Sequence, residues 1–150
     1  MVGSQAIGKS SLSNYLSKKY KLSIINGDKY KTKSKMIKQF NIDKLDSNYN
    51  GIIIDNTNPT IENRKQWIDL LDNNTHWTTS IIYLDNCKQI CLHLIKYRQF
   101  FGGPKIPSVA VHKYYKNLEI PNKNEVDNIY YLNSVIYDNK LEFNHNLRFI

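Results

Sequence analysis

The spacing of apolar residues switches repeatedly along the chain between a helical and an extended period. In Ser10–Lys19, Leu12, Tyr15 and Leu16 fall on one face and predict a helix. "KLSIINGD" (Lys21–Asp28) predicts a short strand closed by a turn, and Lys29–Phe40 a basic helix. "GIIIDNTNP" (Gly51–Pro59) carries an uninterrupted isoleucine run, the pattern of a strand covered on both faces. A helix is expected from Thr60 to Leu71, a strand over His76–Asp85, and a helix over Cys87–Phe101 that stops at Gly102-Gly103-Pro104. A helix over Val109–Leu118 and a strand over Asn128–Ser134 follow. Strands alternating with helices predict an α/β fold: a parallel sheet with helices on both faces and right-handed crossovers. No internal repeat or Gly/Ser linker divides the sequence, which reads as one domain over residues 1–150.

One stretch stands out against this pattern. Gly3–Ser10 reads G-x-x-x-x-G-K-S, the signature of a phosphate-binding loop of the P-loop NTPase kind. Glycines at both ends let the backbone of Gly3, Ser4, Gln5, Ala6, Ile7 and Gly8 wrap an anion, and the following helix offers its positive end. In that role Lys9 reaches the β- and γ-phosphates, the Ser10 hydroxyl sits on Mg²⁺, and Ser11 follows in the first helical turn. ATP and Mg²⁺ are therefore the expected cofactors. Only Met1 and Val2 precede the loop, where a buried strand of about five residues is usual. The first strand looks truncated, and we expect a longer parent that supplies it.

Three further positions carry candidate chemistry. Asp55 ends the isoleucine strand, where a carboxylate can hold Mg²⁺ or bond Ser10; Asp55, Asn56 and Asn58 are equally good turn formers ahead of Pro59. Asp28 follows a strand and should share the carboxyl edge of the sheet, placed to accept a proton from an attacking hydroxyl or simply to form a turn after Gly27. Lys96 and Arg98 end a helix before the glycine pair. They suit either phosphates approached by a lid on a flexible hinge or the negative end of their own helix.

Charge sharpens this picture. Twenty-one Lys and Arg oppose 13 Asp and Glu, a net of +8, which favours an anionic partner. Lys29, Lys31, Lys33, Lys35 and Lys38 form a strip that either holds a nucleic-acid strand or is a solvated helix face. Cys87 and Cys91 lack a second pair for a zinc site and read as thiols of a reducing compartment. No stretch approaches the roughly 20 apolar residues of a membrane span, and no apolar signal segment opens the chain. We expect an intracellular protein.

The ordered set "VGSQAIGKS", "INGDKYK", "IIIDNTNPTIENRKQW", "CLHLIKYRQF" and "IPSVAVHKYYKNLEIP" resembles the kinase domain of polynucleotide kinase 3′-phosphatase, over most of the chain from Met1 to about Asn133. The resemblance implies transfer of the ATP γ-phosphate to the 5′-hydroxyl of DNA or RNA in end repair. It assigns Gly3, Gly8, Lys9 and Ser10 to the ATP loop, Asp28 to the general base, and Asp55 to Asn58 to the DNTN signature. Lys31 falls at an acceptor-phosphate position, Arg64 is taken with it as a nucleic-acid contact, and Arg98 matches a lid arginine with Lys96 beside it. The chain departs from the family where Gly27 replaces a basic residue and Lys31 and Lys96 replace arginines, losing the bidentate fork. A phosphatase domain upstream in a longer parent is expected by the same resemblance. Two other readings stay open: a P-loop kinase for a small acceptor, and a decayed module that grips nucleic acid without transfer.

Overall fold

The computed structural model describes residues 1–71, 77–137 and 140–143; His76, the expected start of the third strand, lies outside the described residues. The element order is α1 (Lys9–Tyr20), β1 (Leu22–Asn26), α2 (Gly27–Tyr30), α3 (Lys33–Asp43), β2 (Gly51–Asp55), α4 (Ile61–Ile68), β3 (Ser80–Leu84), α5 (Lys88–Phe100), α6 (Ser108–Asn117), β4 (Asn128–Leu132), β5 (Ser134–Tyr137) and β6 (Lys140–Phe143). The chain forms two compact units. One comprises Met1 and Gly8–Asn56, the other Val2–Ile7 and the chain from Thr57 onward.

In the first unit β1 and β2 run parallel, in a register that sets Ile24 opposite Ile53 and Asn26 opposite Asp55. The two carboxyl ends therefore share one edge. Helix α1 packs on both strands, and α3 covers β1 with Met36 and Phe40 buried. The Met1 amino nitrogen donates to the Ile54 carbonyl at 3.1 Å. The buried Asp43 carboxylate accepts from the Ser23 hydroxyl and, at 2.7 Å, from Gln39 Nε2, so the polar group on that helix face is satisfied.

The single basic helix expected over Lys29–Phe40 is two helices. Lys31 sits at φ 62° with its N–H returned to the Gly27 carbonyl at 2.8 Å, which closes α2. Thr32 is then extended and its Oγ1 accepts from the Lys35 N–H, which opens α3. Local capping chemistry, invisible to periodicity, breaks the run.

In the second unit β3 and β4 run parallel. Val2 makes a parallel bridge to Tyr83, its N–H bonding the Ile82 carbonyl at 2.8 Å and its carbonyl accepting from Leu84 at 2.9 Å. Val2, Ile81 and Tyr83 form a core cluster with Leu118, Val126, Ile129 and Tyr131 against it. Helices α5 and α6 pack together. The Tyr115 hydroxyl reaches the Asn86 carbonyl and lies 3.1 Å from the buried Cys91 sulfur. Neither Cys87 nor Cys91 is in a disulfide. Beyond Asn133, β5 and β6 form an antiparallel pair that the hydrophobic pattern did not indicate. No helix among the described residues is long and apolar enough to cross a membrane.

Candidate functional site

The loop between Val2 and α1 has the backbone its sequence calls for. A Cβ on Gly3 would come within 2.5 Å of Ile7 Cδ1 and 3.3 Å of Leu84 Cβ, and its φ of 157° is one that residues with side chains rarely adopt, so the position favours glycine. Ser4 and Ile7 are buried, Gln5 and Ala6 half-buried, and Ser4 Oγ donates to Gln5 Oε1 at 3.2 Å. Ala6 is held at φ 64° and Gly8 at φ 88°. Gly8 is the N-cap of α1, and no side chain caps that helix. The first-turn N–H groups, with Ser10 and Ser11 exposed beside them, are thus disposed to receive an anion's oxygens.

At the carboxyl edge of β1 and β2 one residue, Asn26, bonds both the Asp55 carboxylate and the Asp28 backbone. Asn26 Nδ2 donates to Asp55 Oδ2 at 2.7 Å, while Asn26 Oδ1 accepts from the Asp28 backbone N–H at 2.7 Å. Asp55 is buried and Asp28 exposed. The amide of Asn26 therefore caps α2 and fixes the Asp55 carboxylate with the same group. The sequence does not single it out, although an Asn two residues before an Asp at a strand end is a recognisable Asx signal. Burial lowers the Met1 amino group to about 6, with Asp55 opposing the shift and Lys9 adding to it. Lys9 and Asp55 thus act electrostatically on one point at this edge.

The DNTN segment is tied down by backbone and by charge. The Gly3 N–H donates to the Thr57 carbonyl at 3.2 Å. Asn58 is buried at φ 43°, and its carbonyl accepts from Arg64 Nη1 at 3.2 Å, with the Pro59 carbonyl at 3.0 Å. The remaining face of the guanidinium is bidentate to Glu125, Nε to Oε2 at 2.6 Å and Nη2 to Oε1 at 3.0 Å. Burial alone would raise Glu125, but the hydrogen bonds from Arg64 and the Asn122 N–H, with the Arg64 charge, outweigh it and hold its carboxyl below the ordinary value. Arg64 corrects the expectation of a nucleic-acid contact: its side chain is 3% exposed and four of its five N–H donors are spent on Asn58, Pro59 and Glu125.

The box "YYKNLEIP" closes on the same segment. The Glu119 N–H donates to the Pro59 carbonyl at 2.9 Å, and its carboxylate accepts from the Ile61 N–H at 2.5 Å. Thr60 Oγ1 caps α4 through the Asn63 N–H at 3.1 Å. Two motifs far apart in sequence are therefore two halves of one helix entry.

Lys96 and Arg98 lie exposed on the last turns of α5. The expected hinge after them is a fastened helix stop. Gly102 at φ 77° donates to the Gln99 carbonyl at 3.1 Å, and Gly103 to the Arg98 carbonyl at 2.8 Å, the paired bonds of a Schellman cap. Lys31, Lys33, Lys35 and Lys38 are exposed on α3 and its approach, with Lys29 on α2. Among the described residues no group of three His, Cys, Asp or Glu side chains is disposed to hold a metal ion by itself.

No protein-family model matches the chain. In sequence it is 33% identical over 128 residues, 83% of its length, to the bifunctional polynucleotide phosphatase/kinase of Schizosaccharomyces pombe. It is 29% identical over 104 residues, 67% of its length, to an Acanthamoeba polyphaga mimivirus protein ascribed the same two activities. The chain spans 30% and 24% of those two relatives' lengths. In structure it resembles a fungal RNA kinase, with a TM-score of 0.70 at 15% identity over 98% of this chain and 38% of that one. It also resembles a gluconokinase of Sinorhizobium meliloti 1021, with a TM-score of 0.60 at 14% identity over 88% and 79%. The fold is thus an α/β fold shared with these two kinases, as the alternation of elements predicts.

Proposed function

The chain is a sequence relative of the bifunctional polynucleotide phosphatase/kinases, and from that premise we propose that it is an ATP-dependent polynucleotide 5′-hydroxyl kinase domain. The observation that carries the proposal is the head of α1, which no side chain caps, together with the strand edge where Asn26 bonds both the Asp55 carboxylate and the Asp28 backbone N–H. In this reading the backbone from Gly3 to Gly8 and the first turn of α1 bind the ATP phosphates, with Lys9 offsetting their charge. The Asp28 carboxylate takes the proton of the acceptor 5′-hydroxyl. As its oxygen bonds to the γ-phosphorus, the bond to the β,γ-bridging oxygen breaks and ADP leaves. Arg98, with Lys96 near it, offsets charge on the transferring phosphoryl group. Lys31 contacts a phosphate of the acceptor strand.

The donor set fits Mg²⁺. The Ser10 hydroxyl and the Asp55 carboxylate are hard oxygen ligands, and a site with few protein ligands suits an ion shared with substrate phosphates. When bound, the ion would neutralise charge on the β- and γ-phosphates.

The gluconokinase likeness rests on fold alone and carries no acceptor, whereas the sequence relatives point to a nucleic-acid end. The test is transfer of labelled γ-phosphate from ATP to a 5′-hydroxyl oligonucleotide, beside gluconate and nucleosides as acceptors. Asp28→Asn should lower transfer by about 10²–10⁴-fold while leaving ATP binding intact. Transfer to a small alcohol in preference to oligonucleotides would overturn the proposal, as would transfer indifferent to Asp28.

A further inference from the structure

Helix α5 ends in an exposed stack of rings. His93, Tyr97 and Phe101 recur at every fourth residue, which sets successive rings about 6 Å apart along the axis. The His93 and Tyr97 rings lie 6.5 Å apart at 29° to one another, those of Tyr97 and Phe101 lie 4.7 Å apart and tilted by 51°, and Phe100 meets Phe101 edge-on at 5.2 Å. Folding does not bury them: Tyr97 is 42% exposed, Phe101 67% and Phe100 85%. Aromatic side chains left in water this far need a reason, because each forgoes the burial that stabilises a core.

The charge around the stack supplies one. From Asn86 to Leu118, 33 residues, there is no Asp or Glu, while Lys88, Lys96, Arg98, Lys105, Lys113 and Lys116 contribute six positive charges. That is most of the net +8 of the whole chain, gathered on α5, α6 and their connection. Residues 1–27 and 29–42 also lack Asp and Glu, with four and five lysines; this segment is the longest of the three. Flat π-faces interleaved with cations, on a rigid helix ended by a fastened cap, match a polyanion whose subunits also carry flat faces.

We propose that the α5 ring stack is a platform for single-stranded nucleic acid, on which bases of the acceptor strand pile while Lys96, Lys105 and their neighbours hold its phosphates. It deepens the kinase reading above and rests on it for the choice of partner. An adenine of ATP would occupy one ring; a run of rings is matched by a run of bases. Because every base has a π-face, the platform selects single strands over duplex without selecting sequence.

The test measures binding of the full chain, without ATP, to a 20-nucleotide single-stranded 5′-hydroxyl oligonucleotide and to a blunt hairpin, by fluorescence anisotropy across a salt series. Phe100→Ala/Phe101→Ala should weaken single-strand binding by about 10- to 100-fold and hairpin binding far less. The dependence of log affinity on log salt should keep its slope, since no charge is removed. Phe101→Trp should restore affinity, and the bound strand should quench its indole emission. The KM for ATP should not change in these variants. Single-strand affinity within twofold of the parent would overturn the proposal. So would a raised KM for ATP with unchanged strand binding, which assigns the rings to adenine. Self-association lost in the double variant, or binding to phosphatidylserine vesicles lost while strand binding stays, would equally overturn it. Measuring phosphate transfer by the parent chain beside its strand binding separates the two readings. Ring-dependent binding by a parent chain that transfers no phosphate would sink the kinase and leave the platform; transfer with ring-independent binding would do the reverse.

Discussion

Arg64 and Arg98 are the same residue type, both lie within a motif of the kinase resemblance, and both are natural candidates for an anionic ligand. Their surroundings separate them. Arg64 is buried, bidentate to Glu125 and bonded to two carbonyls of the DNTN segment. Arg98 is exposed at the end of α5, with its backbone carbonyl pinned by Gly103. A guanidinium whose donors are spent inside the protein shapes the scaffold; one whose head stands in water is available to a substrate. The sequence records the residue in both cases and the commitment in neither.

The contrast can be broken at several points. The largest effect is expected from Arg64→Ala, which strands the Glu125 carboxylate in a buried site. Losing one partner of such a pair costs about 3–5 kcal/mol, so thermal unfolding should fall by roughly 10 °C or more. A change confined to KM for the acceptor, with an unmoved Tm, would reverse the reading of Arg64. Arg98→Ala should do the opposite: an unchanged melting curve and a transfer rate lower by about 10²–10³-fold, measured at saturating ATP. Thr60→Ala removes the cap of α4 just ahead of Arg64 and should cost about 1 kcal/mol in denaturant titration. Acid offers a gentler probe. Because the folded pKa of Glu125 is depressed, the stability it contributes is present above the ordinary glutamate value and is lost as pH falls through the lowered one. Glu125→Gln should therefore lack part of the parent's loss of stability below about pH 4. Smallest of all, Lys31→Gln should leave folding untouched and lower the salt slope of oligonucleotide binding by about one unit or less.

Much of the architecture was legible. The isoleucine run, the period-2 and period-3.6 segments and the glycine-bounded loop placed α1, β1, β2, β3, α5, α6 and β4 to within a few residues. The misses share a cause. The break between α2 and α3 is made by Lys31 entering the left-handed region and Thr32 capping the next helix, and neither has a hydrophobic signature. The sequence marks the Gly102-Gly103 pair both as the stop of α5 and as a hinge; the hydrogen bonds bear out the stop and show the pair fastened to the helix end. Asn26 was overlooked because its importance lies in bonding two groups at once, Asp55 and the Asp28 N–H, which only the parallel register of β1 and β2 brings together. Arg64 was misjudged because its partner, Glu125, stands 61 positions away.

The cap at the end of α5 has a further consequence, for how substitutions would be tolerated there. Gly102 has open space where a Cβ would go, and its left-handed φ of 77° is one that asparagine also adopts. At Gly103 a Cβ would come within 2.7 Å of the Arg98 carbonyl oxygen, too close for any side chain without backbone displacement. In a library covering every amino acid at both positions, Gly102 should therefore yield survivors and Gly103 none. The casualties at Gly103 would lose their function through Arg98 five residues back, although the altered residue has no chemistry of its own.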